Sequence, residues 1–173
     1  LDKKTHVVDI GGGYGTFGDE IKKFNENISI IEPAPHLADI CKSKGHDVIN
    51  KFLENIKKSD LTNKNKLFVS FELIEHLHSP KKFFHKMRTL LSINDIFVFT
   101  TLSGMGLDIA VLGNQSKSIM PPYHLNFFNP YSIKIFLANN GFELLELSTP
   151  GKLDIDILNN NFEKINNLFW QYI

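Results

Sequence analysis

Two groups of residues in this chain have the types and spacing to do chemistry. The first lies near the start, where Asp9 is followed by glycines at 11, 12, 13, 15 and 18, and a second acid, Glu32, falls 17 residues after Gly15. A carboxylate beside clustered glycines offers a negative side chain next to backbone N–H groups that a ligand can approach closely. The second group comprises Glu72, Glu75 and His76, together with His124 in the run Pro121-Pro-Tyr-His-Leu-Asn-Phe-Phe128. An imidazole can take a proton near neutral pH, which serves any reaction that turns a hydroxyl into a nucleophile. Glu72, Glu75, His76 and His124 also have the donor types for a divalent ion that would orient a diol and lower a hydroxyl pKa.

The elements that must position the first group are legible. A short apolar run from His6 ends around Asp9, the glycine turn follows, and a helix-like segment runs from Asp19 to Phe24. Strand, glycine turn and helix form the local architecture of a nucleotide-type cofactor site. Two fingerprints overlap in it. Asp9-x-Gly11-x-Gly13-x-Gly15 is the S-adenosylmethionine pattern, and Gly13-x-Gly15-x-x-Gly18 is the dinucleotide pattern. Charge separates them. A dinucleotide places a pyrophosphate at the turn, where N–H groups favour anions and the Asp9 carboxylate would repel it. S-adenosylmethionine brings an ammonium and a carboxylate, with a cationic sulfonium beyond, and an acid there is favourable. Ile28-Ser-Ile-Ile-Glu-Pro33 reads as the next strand, with Glu32 at its tip, able to accept from both ribose hydroxyls. Taken alone, Glu32 also fits an ordinary solvated strand end.

Along the whole chain, strands are expected near 6–11, 28–32, 46–50, 66–72, 95–101 and 142–148, and helices near 18–25, 35–44, 80–91 and 130–140. This alternation predicts an α/β fold: a doubly wound, Rossmann-like, mostly parallel sheet flanked by helices. Ser79 is a good N-cap before Pro80, and Gly141 a good stop after the last of these helices. A helix begun at Glu72 would set Glu72, Glu75 and His76 on one face. The long glycine-bearing segment 104–120 reads as a loop serving as lid or substrate platform. Tyr123, Phe127 and Phe128 could line an apolar wall there, and the two phenylalanines equally suit core packing.

The 173 residues are expected to form one domain, 1–173. Lys plus Arg equals Asp plus Glu at 19 each, so no net field recruits a polyanion, and nucleic acid is disfavoured as a partner. The single Cys41 excludes an internal disulfide and suits a reducing, cytoplasmic compartment, where it reads as packing. No apolar run reaches membrane-spanning length. Leu1 opens the chain, and an amphipathic stretch through Phe162, Ile165, Phe169 and Tyr172 ends on apolar Ile173, so the chain is read as a piece of a longer protein that lacks part of its C-terminal end. The sequence carries no mark of oligomeric state.

The run VVDIGGGYG, the IIEP strand end, FELIEHL (71–77) before Ser79-Pro80, and GFELLEL (141–147) together resemble class I S-adenosylmethionine-dependent methyltransferases. The likeness is to the branch of ubiquinone-biosynthesis O-methyltransferases and small-molecule or sugar methyltransferases, and it runs from about residue 5 to about residue 150. It implies a seven-stranded sheet, one strand more than the six read above. It implies cofactor contacts from Asp9, Gly11, Gly12, Gly13, Gly15, Glu32, Phe52, Phe71 and Glu72. Relatives often carry Cys where this chain has Gly12, and an acid where it has Phe52, whose ring could stack on adenine instead. The implied acceptor is an oxygen of a small molecule, sugar or quinone/phenol-like, with His124 or His76 as base. Glu-x-x-Glu-His with a distant His is similar to the metal set of small-RNA 3′-terminal ribose methyltransferases, yet the same run occurs in relatives without metal, where it shapes the cofactor pocket. Alternatives are an NAD(P)-dependent oxidoreductase, although Tyr131-Ser-Ile-Lys134 misses the Tyr-x-x-x-Lys spacing by one residue, and a non-catalytic methyltransferase-like binding module.

Overall fold

A computed structural model describes residues 2, 4–62, 65–150 and 160. The chain divides into two compact units, Leu1–Thr100 and Thr101–Ile173. The first is a five-stranded sheet of β1 (His6–Ile10), β2 (Ile28–Ile31), β3 (Asp47–Ile49), β4 (Lys66–Ser70) and β5 (Ile96–Phe99), in the order β3-β2-β1-β4-β5. Every pairing is parallel. The central strands are apolar almost throughout, because helices cover both faces of such a sheet: Val7, Val8, Ile10, Ile30, Ile31, Phe68 and Val69 are all buried. At the edge, β5 alternates. Phe97 and Phe99 pack on Phe84 of the helix α3 (Pro80–Leu90), with ring centroids 5.9 and 5.3 Å away, while Ile96 and Val98 stay exposed.

The order matters for function. From β1 the chain winds first to β2 on one side, and later to β4 on the other. The order reverses between β1 and β4, and sheets of this kind bind ligands outside the carboxyl ends of the strands at such a switch point. The Ser70 hydroxyl donates to the Ile10 carbonyl at 3.1 Å and ties those two ends together. The helices α1 (Thr16–Ile21) and α2 (Pro35–Ser43) complete this unit. In the second unit, α4 (Leu107–Leu112) and α5 (Pro130–Asn139) are joined by a connection of turns that opens with a 3-10 helix at Gly113–Gln115, and Ser103 bridges Phe128.

Several expected elements differ. Helix α1 starts two residues early, at Thr16, because Gly15 in the left-handed region serves as its N-cap. The stretch read as a loop over 104–120 contains α4. Residues 142–148 form no strand: their alternating pattern suits a strand, but backbone N–H and C=O groups become one only when a neighbouring edge pairs with them. The sixth expected strand is therefore absent from the described residues. The stretch Leu153-Asp-Ile-Asp-Ile-Leu158 and the amphipathic run 162–172 lie outside them. The caps are as expected: Ser79 accepts from the Lys82 N–H, and Gly141 has φ +74°.

At the amino end of the sheet, β4 begins on a buried ion pair. Lys66 Nζ lies 3.2 Å from Asp95 Oδ2, and the two side chains are 7% and 1% exposed. The Lys66 and Ser92 N–H groups also donate to that carboxylate. Removing one partner leaves the other charge enclosed, so Lys66→Ala is expected to lower unfolding free energy in urea titration by about 3 kcal/mol.

Candidate active site

After Ile10 the backbone turns through Gly11, Gly13 and Gly15, with φ of +73°, +54° and +74°. These are left-handed conformations that a Cβ makes costly, and three in five residues explain the glycine spacing. The Gly15 N–H closes the turn on the Gly12 carbonyl at 2.8 Å. Gly12 is required for space: a Cβ there would stand 2.5 Å from Ile30 Cγ2 and 2.9 Å from Asp9 Oδ2. The cysteine that relatives carry here has no room in this chain. At Gly13 a Cβ would meet nothing within 4 Å, so that side of the turn is open.

Two carboxylates stand behind the turn. Glu32 accepts from the Gly13 N–H at 2.9 Å through Oε2, and from the Ala34 N–H at 2.8 Å through Oε1. The buried acid thus joins the glycine turn to the start of α2. A carboxylate oxygen can accept more than one hydrogen bond, so capacity for hydroxyl donors remains. Asp9 is 2% exposed, and its Oδ2 is buried with no hydrogen-bond partner. Burial, and secondarily the nearby Glu32 charge, push its carboxyl up to about 7.

From the other side the turn is held by side chains to which the sequence reading gave packing or no role. The Cys41 thiol, fully buried, donates to the Gly13 carbonyl at 3.3 Å. Lys44 Nζ donates to the Tyr14 carbonyl and to Asp19 Oδ2, and His46 Nε2 lies 2.8 Å from Asp19 Oδ1. Hydrogen bonds from Lys44 and then His46 hold the Asp19 carboxyl below its usual value. His46 also fills the space beside Gly15 and Gly18, its Cε1 standing 2.9 Å from where a Gly18 Cβ would lie. No local pattern announces these contacts, which span 25 to 30 residues of chain.

Beyond β4 no α-helix begins at Glu72. Glu72 sits at φ +49°, a left-handed residue that ends helical propagation, and a single 3-10 turn spans Ile74–His76. Glu72 and His76 are exposed while Glu75 is buried, so the three do not share one face. Glu72 is locked to the end of β5: its N–H donates to Thr100 Oγ1, which in turn donates to Glu72 Oε1 at 2.6 Å. Strain of this kind in a non-glycine residue collects at functional sites. Leu73 covers Gly11, with its Cδ2 3.1 Å from where a Cβ would lie. Phe71 packs against Phe17 of α1 at 4.8 Å between ring centroids, and Phe52 stands 62% exposed before the 3-10 turn Leu53–Asn55. Among the described residues, no three His, Cys, Asp or Glu side chains gather as a metal centre, so Glu72, Glu75, His76 and His124 are not brought together as one.

In the second unit, His124 is half-buried, and its Nδ1 lies 2.7 Å from the Ser118 carbonyl. A carbonyl only accepts, so Nδ1 carries the proton and Nε2 is the basic nitrogen of the neutral ring. Tyr123, Leu125 and Phe127 are exposed on the same stretch, whereas Phe128 packs on Phe136 with centroids 5.1 Å apart. The two phenylalanines therefore divide: Phe127 is exposed, and half-buried Phe128 packs on Phe136.

A parallel sheet with a switch point between β1 and β4, a left-handed glycine turn and a buried strand-end acid define a Rossmann-like fold of the class I methyltransferase type. A sequence family described as "Methyltransferase domain" matches residues 1–147, and the chain belongs to that family. No curated protein matches it by sequence. Among solved structures it is similar to a possible histamine N-methyltransferase from Thermotoga maritima, at 18% identity and TM-score 0.63, over 80% of this chain and 64% of that one. It is similar to an S-adenosylmethionine-dependent methyltransferase from Mesorhizobium loti, at 14% identity and TM-score 0.66, over 95% and 86%. A third, from Archaeoglobus fulgidus, aligns at 18% identity and TM-score 0.63, over 95% and 80%. At these identities the structures establish the fold. The site fits S-adenosylmethionine: the unpartnered Asp9 Oδ2 suits a cationic ligand, and the open side of Gly13 leaves the turn approachable. The oxidoreductase alternative is not favoured, since the same buried carboxylate opposes a pyrophosphate. No helix among the described residues is long and apolar enough to cross a membrane.

Two outcomes follow from this geometry. Gly12→Ala is expected to destabilise the fold by about 1–3 kcal/mol in chemical denaturation, because Ile30 is enclosed and stiff at its branched carbon. For Asp9, the folded-state value lies above the unfolded one of 3.8, so the folded chain binds more protons between about 4 and 7 and loses stability as pH rises through that window. Asp9→Asn removes the loss. It is expected to raise stability at pH about 8 by a few kcal/mol and to leave it nearly unchanged at pH about 4, read by unfolding curves across pH.

Proposed function

We propose that this domain transfers the methyl group of S-adenosylmethionine to an oxygen of a small molecule, a sugar or quinone/phenol-like hydroxyl, as in the ubiquinone-biosynthesis and small-molecule O-methyltransferase branch. The observation that carries the choice of oxygen is the His124 tautomer: a ring with Nδ1 bound to a carbonyl presents Nε2 as base. A neutral amine acceptor needs no such group to become a nucleophile, whereas a hydroxyl gains from one. Exposed Tyr123, Leu125 and Phe127 supply apolar area suited to an aromatic or sugar-ring acceptor.

The cofactor supplies, when bound, a methyl carbon already activated for displacement. Asp9, Glu32 and the backbone of Gly11, Gly12, Gly13 and Gly15 hold its polar groups. Phe52 supports the adenine ring, and Phe71 and Glu72 complete the wall beyond β4. The acceptor's proton passes to His124 Nε2 or, as the second candidate, to exposed His76. Orientation and exclusion of water supply the larger share of the rate. The two units work as one domain on this reading, and the single buried thiol suits a cytoplasmic setting.

Calorimetric titration with S-adenosylhomocysteine, with NAD as comparison, tests the cofactor half. Saturable binding of the former alone is expected, and tighter binding of NAD would overturn it. Glu32→Ala removes the acceptor of two backbone N–H groups, each charge-assisted, and is expected to weaken S-adenosylhomocysteine binding by about tenfold or more. The acceptor half is tested by transfer of labelled methyl to panels of hydroxyl and amine compounds, with and without divalent metal. His124→Ala is expected to lower transfer to a hydroxyl by about 10²-fold or more. Transfer to amines alone, unaffected by His124→Ala, would sink the oxygen assignment.

A further inference from the structure

His124 is held by more than one carbonyl's chance proximity. The peptide unit that offers the carbonyl belongs to Ser118, and Ser118 is fixed at three points. Its hydroxyl donates to Asp108 Oδ2 at 2.7 Å, its N–H donates to Ser116 Oγ at 3.0 Å, and its carbonyl receives His124 Nδ1–H at 2.7 Å. Ser116 is itself buried, and its hydroxyl donates to the same Asp108 oxygen. One carboxylate oxygen therefore gathers both serine hydroxyls, and through them sets the position of the carbonyl that His124 Nδ1 meets. We propose that Asp108 is a positioning residue for His124, acting through Ser116 and Ser118 to fix its ring and its Nδ1–H tautomer.

The chemistry of each link runs in one direction. A carboxylate only accepts, so both serine hydroxyls must donate to it, which leaves the Ser116 oxygen lone pairs for the Ser118 N–H. Burial pushes the Asp108 carboxyl up, but hydrogen bonds from Ser116 and Ser118 outweigh it and hold the group below its usual value, hence charged at neutral pH. Charge-assisted hydrogen bonds are the strong ones, and two on one atom order the 116–118 turn more firmly than neutral pairs would. The turn also fixes the approach to His124 from the chain side: the Ile119 N–H donates to the Ser116 carbonyl, and the His124 N–H to the Met120 carbonyl. Asp108 occupies the first turn of α4, where Gly106 leaves room for it; a Cβ at Gly106 would stand 2.8 Å from Asp108 Oδ1. Asp108 lies 16 residues before His124, and nothing in the local sequence pairs them.

The catalytic meaning of this chain of bonds rests on the reading of His124 as base, but the positioning itself does not. The test therefore uses the full chain free of cofactor and acceptor. The ring nitrogens of His124 are followed by two-bond nitrogen–proton NMR correlations at pH about 8.5, where imidazole is neutral. Wild type is expected to show the Nδ1–H tautomer as the dominant form. Asp108→Ala is expected to shift the tautomer ratio toward Nε2–H by about tenfold, the amount one well-made hydrogen bond confers. Should Asp108→Ala fail to fold, Ser118→Ala and Ser116→Ala each remove one donor and are expected to shift the same ratio in the same direction. An unchanged ratio in all folded variants, or a wild-type ring dominated by Nε2–H, would overturn the proposal. Failure of the base reading shows elsewhere, as methyl transfer to a hydroxyl that survives His124→Ala while the tautomer shift persists.

Discussion

The carboxylate of Glu32 is the point on which the cofactor end of this fold turns. A parallel sheet holds its strands in register but leaves the loops beyond their carboxyl ends without partners. Here one side chain, at the tip of β2, accepts from the N–H of Gly13 in the loop after β1 and from the N–H of Ala34 at the start of α2. The glycine turn is thereby shaped from within before any ligand arrives. Its outer side is shaped by Cys41, Lys44 and His46, so a segment with three left-handed residues is fixed from both flanks.

Such order has a cost, which is concentrated at Asp9. The same enclosure that keeps the turn rigid strips water from a carboxylate and sets it near a second one. A fold selected for stability alone would place an apolar residue at this point of β1, as it does at Val7, Val8 and Ile10. A buried acid without a partner is intelligible as half of an interaction whose other half is a cationic ligand. In the second unit the electrostatics are of another kind. Asp108 is satisfied by two hydroxyls and carries its charge at no comparable cost, and it meets His124 through the main-chain carbonyl of Ser118.

The cofactor end was legible because its signals are local. Asp9 lies in, and the glycines and Glu32 follow, short strands that announce themselves by their apolar residues, and glycine spacing maps directly onto positive φ. Strand order was legible only as a class, since periodicity does not say which strand neighbours which. What escaped the sequence has three physical origins. Glu72 adopts a left-handed φ without being glycine, and no residue type signals that. Cys41 and His46 act through contacts with the glycine turn and α1 that are remote in sequence. The segment 142–148 has the alternation of a strand and lacks a paired edge, while 107–112 forms a helix inside a stretch whose glycines at 104, 106 and 113 read as loop.

Cys41 gives this arrangement a practical corollary. It is the sole thiol in 173 residues, it is wholly enclosed, and its S–H points at the carbonyl of Gly13. Burial, first of all, raises its pKa, so it is a poor nucleophile for as long as the turn stays closed. Alkylation of the chain can then proceed only from moments in which the turn has lifted away. The rate at which a thiol reagent labels the native protein becomes a clock for those openings, with no engineered probe required.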